Sequence, residues 1–248
     1  LKRSSIKESS LPKLRYITQA GGHLVPAIRQ EVSEAFAPSR LYIMYGATEA
    51  APRLTYLEPG NLNAKLASIG KAIPNVEVLV VDKLGRPVPP FTTGEIVARG
   101  SNIMMGYWKD EDATNEVLQG GYYHTGDLGQ IDDEGYIYVV GRSKDMIKSD
   151  GYRVSAREVE DAITEIDGIA EVAVIGVEDE IVGEAIKAFL VLDKSEQTTL
   201  KVLRRKLKGR LPEYKMPRYM EVLDHFPTNE SGKIMKTELQ KQGEATNG

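Results

Sequence analysis

The N-terminal region carries a hydrophobic pattern that predicts a strand, a helix and a second strand. An apolar run at 14–20 is followed by two glycines and predicts a short buried strand. Residues 26–36 place apolar side chains at helical spacing, and we expect one helix over them. Residues 41–45 predict the next strand. Strand, helix and strand begin an α/β layer, and such a layer needs more strands than this chain supplies.

Beyond this region the hydrophobic pattern changes twice. Between residues 68 and 140, short apolar runs separated by Gly, Pro and Asp indicate a small β-barrel or sandwich. After residue 141, helical and strand patterns alternate, so we place a domain boundary near that residue. The predicted elements are strands at 76–81, 94–98, 136–140, 169–177, 185–192 and 219–223, and helices at 155–166 and 198–211.

The expected fold class is therefore mixed α+β and α/β. A partial α/β sheet layer leads into a small β-barrel, and a separate small α+β domain follows at the C-terminus.

Composition narrows the class of protein. The 248 residues carry 32 basic and 36 acidic side chains, which gives no reason to expect a nucleic-acid partner. Without cysteine, the chain has no disulfide, thiolate metal site or cysteine nucleophile. No apolar run approaches the roughly 20 residues that span a bilayer. We expect a cytoplasmic protein, and the first residue, Leu1 rather than Met, suggests a piece of a longer one.

The segment Tyr45-Gly46-Ala47-Thr48-Glu49 follows a predicted strand, where ligands of open α/β sheets collect. A Thr hydroxyl can donate to a phosphate, and a carboxylate can hold Mg²⁺, which prefers oxygen ligands. The Tyr ring offers a face on which a purine can stack. The alternative is a strand–helix turn in which Gly, Thr and Glu serve only turn and capping roles.

A second candidate is Asp127, at the end of Tyr123-His124-Thr125-Gly126-Asp127. We expect this segment in a tight turn, where a carboxylate can accept two hydrogen bonds from ribose hydroxyls. An Asx turn between strands is the alternative. Since the chain has three His residues, a His metal cluster is not expected.

Cationic residues are concentrated after residue 141. Arg142, Lys148 and Arg153 lie between the β region and the α/β region, where basic groups at an interdomain cleft suit an anionic nucleotide. A solvated charged linker is the alternative. Further on, the loop 227–234 presents Lys233. This lysine is either solvated or delivered to an active site, where it neutralises charge that develops in the transition state.

Taken in order, these segments resemble the adenylate-forming superfamily of acyl-CoA synthetases, luciferases and peptide-synthetase adenylation domains. The resemblance extends from about residue 14 to residue 239, and five motifs in family order are hard to obtain by chance. The matching segments are Tyr45-Gly46-Ala47-Thr48-Glu49, Gly94-Glu95-Ile96 with Gly106-Tyr107-Trp108 and Thr114, Thr125-Gly126-Asp127, Gly141-Arg142-Ser143-Lys144-Asp145, and Ser231-Gly232-Lys233.

The resemblance implies three parts and a role for each candidate residue. Residues 1–67 would be the remnant of a large N-terminal α/β domain, 68–140 a β-barrel subdomain, and 141–248 a mobile C-terminal α+β domain. The implied nucleotide-binding residues are Tyr45 and Gly46 near the adenine, Thr48 at the phosphate, Glu49 at Mg²⁺, and Asp127 with Arg142 at the ribose.

The remaining implied roles concern catalysis and the other substrates. Lys233 would serve adenylation, and Lys144 would be the hinge. The face used for thioester formation with CoA would include Lys148, Gly151 and Arg153, and the acyl-pocket wall would include Gly21, Gly22 and His23. The implied reaction joins a carboxylic acid to ATP, giving acyl-AMP and pyrophosphate, after which CoA displaces AMP.

One family feature is missing from residues 1–44, namely a Ser/Thr/Gly-rich phosphate loop that ends in Pro-Lys. We therefore expect the isolated chain to be an incomplete, inactive ligase, and its exposed half-sheet to favour self-association. An adenylation domain that loads a carrier protein is an alternative, although Lys144 favours the CoA ligases. A non-catalytic nucleotide-binding module is another, although such a module has no need of Lys233. A plain interaction domain is a further alternative, in which all five segments would serve only as turns.

Overall fold

The computed structural model describes residues 11–51, 53–193, 198–230 and 232–245. The chain divides into two compact units, which we call the N-terminal unit (Leu1–Val140) and the C-terminal unit (Gly141–Gly248). The expected mixed fold class is confirmed, because each unit combines helices with its own sheets. The division into three domains stays a prediction.

The first sheet of the N-terminal unit contains the predicted strand, helix and strand. Its strands, in spatial order, are β1 (Tyr16–Gln19), β2 (Arg40–Tyr45), β3 (Thr55–Leu57) and β4 (Lys71–Ala72). Helix α1 (Pro26–Ala35) connects the parallel strands β1 and β2, and the other neighbours are antiparallel. Pro26 suits the first helical position, since its missing N–H has no partner to lose there.

A buried arginine fixes α1 to the rest of this unit. The Arg29 side chain is 2% exposed. Its Nε donates to the carbonyl oxygen of Leu24 at 2.8 Å, and its Nη1 donates to those of Leu66 and Ser68 at 2.9 and 2.7 Å. These bonds satisfy a charge that is costly to bury.

The second sheet of the N-terminal unit has five strands and is curled as a half-barrel. Its strands are β5 (Val76–Val81), β6 (Gly94–Gly100), β7 (Leu118–Gln119), β8 (Tyr122–Ile131) and β9 (Ile137–Arg142). The spatial order is β5-β6-β8-β7, and β9 also pairs with β8. The short helix α2 (Glu111–Val117) precedes β7. Inward residues such as Val80, Ile96 and Ile137 form one core with Leu54 and Ile69.

The C-terminal unit is a five-stranded sheet with helices. Its strands, ordered β11-β10-β13-β12 with β14 beside β13, are β10 (Met146–Ser149), β11 (Tyr152–Ser155), β12 (Ile169–Asp179), β13 (Gly183–Leu192) and β14 (Tyr219–Val222). The helices are α3 (Ala156–Thr164), α4 (Leu200–Leu207) and α5 (Lys236–Ala245). Ser155 and Thr199 cap α3 and α4 by accepting bonds from backbone N–H groups, so both predicted helices begin after these residues.

Both faces of this sheet are covered, which explains why β12 and β13 are almost continuously apolar. Val174 packs in one core with Val159 of α3 and Leu203 of α4. Ile175 packs in a second core with Leu239 of α5. The predicted helix 198–211 is shorter than expected because the backbone turns at its end, where the Arg210 and Leu211 N–H groups both bond the Leu207 carbonyl. Within the residues that the structure describes, no helix is long and apolar enough to cross a bilayer.

Candidate active site

The first sheet brings two of the predicted segments to one edge. Gly21, Gly22 and His23 follow β1, while Tyr45 ends β2. Because β1 and β2 are parallel, with Gln19 opposite Ile43, the two segments leave the sheet on the same side. The Gln19 side chain donates to the Gly22 carbonyl oxygen at 2.6 Å and closes the first loop. The two predicted segments therefore lie at the same edge of the sheet.

Tyr45 contacts a predicted site residue from a distant part of the chain. Its hydroxyl donates to Oδ2 of Asp127 at 2.6 Å, across 82 positions of sequence. Burial, and then the charge and hydrogen bond of Asp127, raise the pKa of Tyr45 far above its usual range. The hydroxyl thus remains protonated and keeps donating. The end of β2 and the Asp127 segment are consequently in direct contact.

Asp127 does not lie in the expected turn, so that prediction is wrong. It lies inside β8, where Glu95 of β6 is opposite Leu128 and Val97 is opposite His124. The residues between Leu128 and His124 outnumber those between Glu95 and Val97, which makes this part of β8 a bulge. The bulge was missed because its pairing partner is far away in sequence.

Hydrogen bonds from side chains of the bulge and of β6 fix the conformation of the bulge. Glu95 Oε1 accepts from the Gly126 N–H at 3.1 Å, and Glu95 Oε2 lies 2.9 Å from Nδ1 of His124. The Thr125 hydroxyl donates to the Ile96 carbonyl at 2.7 Å and accepts from the Asp127 N–H at 3.1 Å. Asp127 is only 9% exposed, so its carboxylate has a fixed and largely dry position.

The segment after β2 forms a short 3-10 turn, Thr48–Ala50, which leaves Thr48 exposed. Glu49 lies partly buried, and its Oε1 accepts from the Tyr107 hydroxyl at 2.7 Å. This hydrogen bond, followed by burial and the charge of Glu49, raises the pKa of Tyr107 to about 12. The pKa of Tyr123 is raised as well, first by burial and then by the charge of Glu49. The two tyrosines that approach Glu49 were not predicted, although Tyr107 belongs to a recognised motif.

The donor set suits a magnesium–nucleotide complex. Glu49 and Thr48 offer oxygen atoms, which hard cations prefer, and Asp127 offers a carboxylate for hydroxyl groups. Among the described residues, no three His, Asp or Glu side chains converge as a metal site. A magnesium ion bound at Glu49 would take its other ligands from phosphates and water, which is its usual binding mode.

In the C-terminal unit, Lys148 and Arg153 lie opposite each other on a hairpin that was not predicted. They are paired residues of β10 and β11, and both are exposed. Asp150 and Gly151 form the turn with φ of 52° and 80°. Two positive φ values in a two-residue loop favour Asp-Gly, and that dipeptide was a usable hairpin signal. The segment is therefore a structured hairpin rather than a linker.

Lys144 and Lys233 line one cleft of the C-terminal unit, of about 560 Å³, together with Arg142, Glu184 and Lys236. Lys144 lies in the 3-10 turn Ser143–Asp145. The Lys233 backbone donates to Oδ1 of Asn229 at 2.9 Å. Ser231, the first residue of that motif, lies outside the described residues. Lys236 pairs with Glu160 at 2.7 Å, whereas Lys144 and Lys233 form no ion pair with a described residue.

Comparison with known protein families gives two matches. Residues 1–108 match the model of the AMP-binding enzymes, and residues 158–233 match the model of the AMP-binding enzyme C-terminal domain. The first range includes the predicted site residues from Gly21 to Glu49, and the second includes Lys233.

Individual relatives are acid–CoA ligases. The chain is 37% identical to indoleacetate–CoA ligase of Aromatoleum aromaticum, covering 95% of this chain and 46% of the relative. It is 36% identical to a long-chain-fatty-acid–CoA ligase of Escherichia coli, covering 90% and 40%. The chain thus spans about half the length of the curated relatives it matches.

Solved structures agree in fold. The o-succinylbenzoate CoA synthetase of Bacillus subtilis, in complex with its acyl-adenylate intermediate, superposes with a TM-score of 0.87 at 32% identity, covering 95% of this chain and 48% of that one. The amide bond synthetase McbA of Marinactinospora thermotolerans gives a TM-score of 0.88 at 30% identity, covering 97% and 50%. The chain belongs to the AMP-binding enzymes, the adenylate-forming superfamily that its motifs resemble.

Proposed function

We propose that this chain is the nucleotide-binding and C-terminal part of an AMP-forming acid–CoA ligase. The observation that carries the proposal is the hydrogen bond between Tyr45 and Asp127, which joins two candidate nucleotide-binding segments. The ATP-bound, AMP-bound and magnesium-containing complexes of the B. subtilis o-succinylbenzoate CoA synthetase support a nucleotide as the ligand. The CoA-ligase relatives support CoA as the acceptor and a fatty or aryl acid as the other substrate.

In this proposal, the N-terminal unit holds the nucleotide. Asp127 accepts hydrogen bonds from the ribose hydroxyls, and the Tyr45 ring lies against the adenine beside Gly46. Thr48 donates to a phosphate oxygen, and Glu49 holds Mg²⁺. When bound, magnesium neutralises phosphate charge and acts as a Lewis acid. Gly21, Gly22 and His23, at the same sheet edge as Tyr45, contribute to the acyl pocket.

The first step forms a bond between an acid oxygen and the ATP α-phosphorus. The bond from that phosphorus to the bridging oxygen breaks, so pyrophosphate leaves and acyl-AMP remains. Negative charge grows on the phosphate oxygens, and the ammonium group of Lys233 stabilises it, with Arg142 assisting at the ribose. The exposed position of Lys233 supports this role, since its ammonium group can pair with a ligand.

The second step forms a bond between the CoA sulfur and the acyl carbon. The acyl–oxygen bond to AMP breaks, AMP leaves, and the thiol proton passes to solvent. Lys148 and Arg153 attract the phosphates of CoA, while Gly151 leaves room for the pantetheine arm. Lys233 and the thiol need the same space, so the C-terminal unit rotates about Lys144 between the steps.

AMP binding by this chain tests the nucleotide site. We expect Asp127→Ala to weaken AMP binding at least tenfold, about 1.4 kcal/mol, because two hydrogen bonds to a charged group disappear. Isothermal titration calorimetry measures the affinity, and Asp133→Ala, which removes an exposed carboxylate, is the control. Equal affinities for wild type and Asp127→Ala contradict the proposed site.

We also propose that the chain alone does not form acyl-AMP at an appreciable rate, because its 248 residues contain no phosphate-binding loop. Pyrophosphate release from this chain with ATP and a panel of acids contradicts that statement.

The acceptor needs a separate test in an active ligase that contains this chain. CoA and a phosphopantetheinyl carrier protein are compared as acceptors of the acyl group. Transfer to the carrier alone indicates an adenylation domain, and absence of acyl-AMP indicates a non-catalytic nucleotide-binding module. A cytoplasmic location and self-association of the chain stay predictions, and sedimentation velocity tests the second.

A further inference from the structure

The segment from Gly106 to Thr114 has no role in the proposed reaction, although its motif is one of those that identify the family. The segment lies beside Glu49. The Met104 N–H donates to the Glu49 carbonyl oxygen at 2.8 Å. The Tyr107 hydroxyl donates to the Glu49 carboxylate at 2.7 Å, across 58 positions of sequence. Met104, just before the segment, thus contacts the backbone of Glu49, and Tyr107 within the segment contacts its side chain.

The backbone of Tyr107 is fixed by a hydrogen bond to Thr114. Its N–H donates to the Thr114 hydroxyl oxygen at 2.8 Å, and that hydroxyl donates to the Asp110 carbonyl at 2.7 Å. Asp110 Oδ1 accepts from the Ala113 N–H at 3.0 Å and caps α2. Thr114 therefore ties the backbone of Tyr107 to the first turn of this helix.

Close packing at Gly106 completes this arrangement. A Cβ atom at Gly106, where φ is 151°, would lie 2.8 Å from Cγ2 of Thr114. A side chain at this position would push Thr114 away from Tyr107. Glycine is thus required for the Thr114 hydroxyl to reach the Tyr107 N–H.

We propose that Tyr107 is a positioning residue that holds the Glu49 carboxylate ready for the cation–phosphate ligand. This inference rests on the proposed role of Glu49 at the cation. A carboxylate that is already oriented by a hydrogen bond loses less rotational freedom when the ligand binds. Tyr107 acts through Glu49, and Thr114 acts through Tyr107.

Trp108 makes the inference measurable without catalysis. It is the single Trp of the chain, it follows Tyr107 directly, and it is 88% exposed. Mn·ATP is the probe, because Mn²⁺ accepts the same oxygen ligands as Mg²⁺ and quenches nearby fluorescence. The quenching of Trp108 on titration with Mn·ATP gives its binding constant.

We expect Tyr107→Phe to weaken Mn·ATP binding about 2- to 12-fold, the cost of immobilising one side chain, with little change in the affinity for metal-free AMP. Thr114→Val weakens Mn·ATP binding in the same direction by a smaller factor. Tyr107→Phe adds no loss when Glu49 is already Gln. Tyr122→Phe is the matched control, because it removes another tyrosine–glutamate bond, 2.8 Å to Glu77, and leaves Mn·ATP binding unchanged.

The outcomes separate this inference from the proposed function. Wild-type affinity in Tyr107→Phe, with binding lost in Glu49→Gln, overturns the positioning role alone. Equal losses for Mn·ATP and metal-free AMP in Tyr107→Phe indicate a merely structural role and also overturn it. Wild-type affinity in Glu49→Gln contradicts both the role of Glu49 and the inference. Circular dichroism checks that Tyr107→Phe is folded, and Thr114→Val provides the second variant.

Discussion

The candidate residues of the two units differ in how far their polar groups are already engaged. In the N-terminal unit, Asp127 and Glu49 each accept a hydrogen bond from a tyrosine. In the C-terminal unit, the candidate lysines and Arg153 are exposed and make no ion pair with any described residue. The two acids are thus engaged by tyrosine hydroxyls, whereas these cationic side chains are exposed at the surface.

This difference follows from the chemistry of the groups. A carboxylate that must meet a ribose or a cation in one geometry benefits from donors that orient it beforehand. An ammonium group is strongly hydrated, and pairing it inside the protein would weaken its pairing with a ligand. In the proposed reaction, the acids of the N-terminal unit are thus oriented before the ligand binds, and the cations of the C-terminal unit stay available to pair with it.

We expect the largest effect from Lys233→Ala, which removes an exposed cation of the C-terminal unit. In an active ligase that contains this chain, we expect the adenylation rate to fall about 10²- to 10³-fold, the typical cost of one donor to a developing oxyanion. The free energy of unfolding changes by less than about 0.5 kcal/mol, because an exposed side chain is removed. ATP–pyrophosphate exchange and urea denaturation measure the two effects. The control is Lys236→Ala, whose wild-type lysine lines the same cleft but pairs with Glu160. A similar loss of rate in both variants contradicts the role of Lys233.

Tyr45→Phe tests the N-terminal side. We expect the free energy of unfolding of the N-terminal unit to fall by about 1.5–3 kcal/mol, since the largely buried Asp127 loses a donor. Urea denaturation measures the change. Tyr56→Phe removes an exposed tyrosine hydroxyl that lies 3.3 Å from Glu58, and it changes stability far less. Equal effects of the two variants would show that Asp127 does not depend on Tyr45.

Glu95→Gln tests whether Glu95 supports the β8 bulge. Glutamine keeps the size of the side chain but weakens its hydrogen bond to Gly126, because the acceptor loses its charge. We expect AMP affinity to fall about three- to tenfold, less than for Asp127→Ala, as a net loss of about 0.7–1.4 kcal/mol. Calorimetric titration with AMP measures the change. Glu134→Gln, an exposed glutamate of the same unit, is the control, and an unchanged affinity in Glu95→Gln would refute the support role of Glu95.

We expect the smallest effect at Asp179, an acid of the C-terminal unit whose carboxylate accepts hydrogen bonds within the protein. The Tyr219 hydroxyl, 2.7 Å away, and the Val182 and Ile181 N–H groups hold the pKa of Asp179 below its usual range. Since the folded pKa lies below the unfolded value of about 3.9, the stabilisation is present above that value and is lost as pH falls through the folded pKa.

Tyr219→Phe removes the hydroxyl that donates to Asp179. It should lower stability at pH 7 and reduce the loss of stability between pH 7 and the acid range, because the folded pKa of Asp179 rises toward the unfolded one. Urea denaturation across pH measures this dependence. Asp224→Asn, at an exposed acid, leaves it unchanged, and an unaltered pH dependence in Tyr219→Phe contradicts the assigned cause.

Sequence patterns were reliable where burial alone decides the structure. The predicted strand at 76–81 matches β5, and the strands at 169–177 and 185–192 fall within β12 and β13. These strands are rich in apolar residues, so their composition indicates that they are buried. Helix starts were within two residues of the observed caps Ser155 and Thr199.

Patterns were weaker where polar residues lie in strands. Strand β8 combines Tyr, His, Thr, Gly and Asp around its bulge, and the hairpin of β10 and β11 carries Lys148 and Arg153 on its surface. Neither has the apolar alternation that marks a half-buried strand. Both are strands because neighbouring strands satisfy their backbone groups, and local sequence does not reveal those neighbours.

Ordered motifs and apolar runs are local properties of the chain, so the sequence alone indicates the family, the mixed fold class and the identity of the candidate residues. Which of these side chains are in contact depends on the tertiary structure. The hydrogen bonds from Tyr45 to Asp127 and from Tyr107 to Glu49 join positions 82 and 58 residues apart. Such contacts depend on strand order, register and a bulge, which arise from pairing between distant segments and leave no periodic signal along the chain.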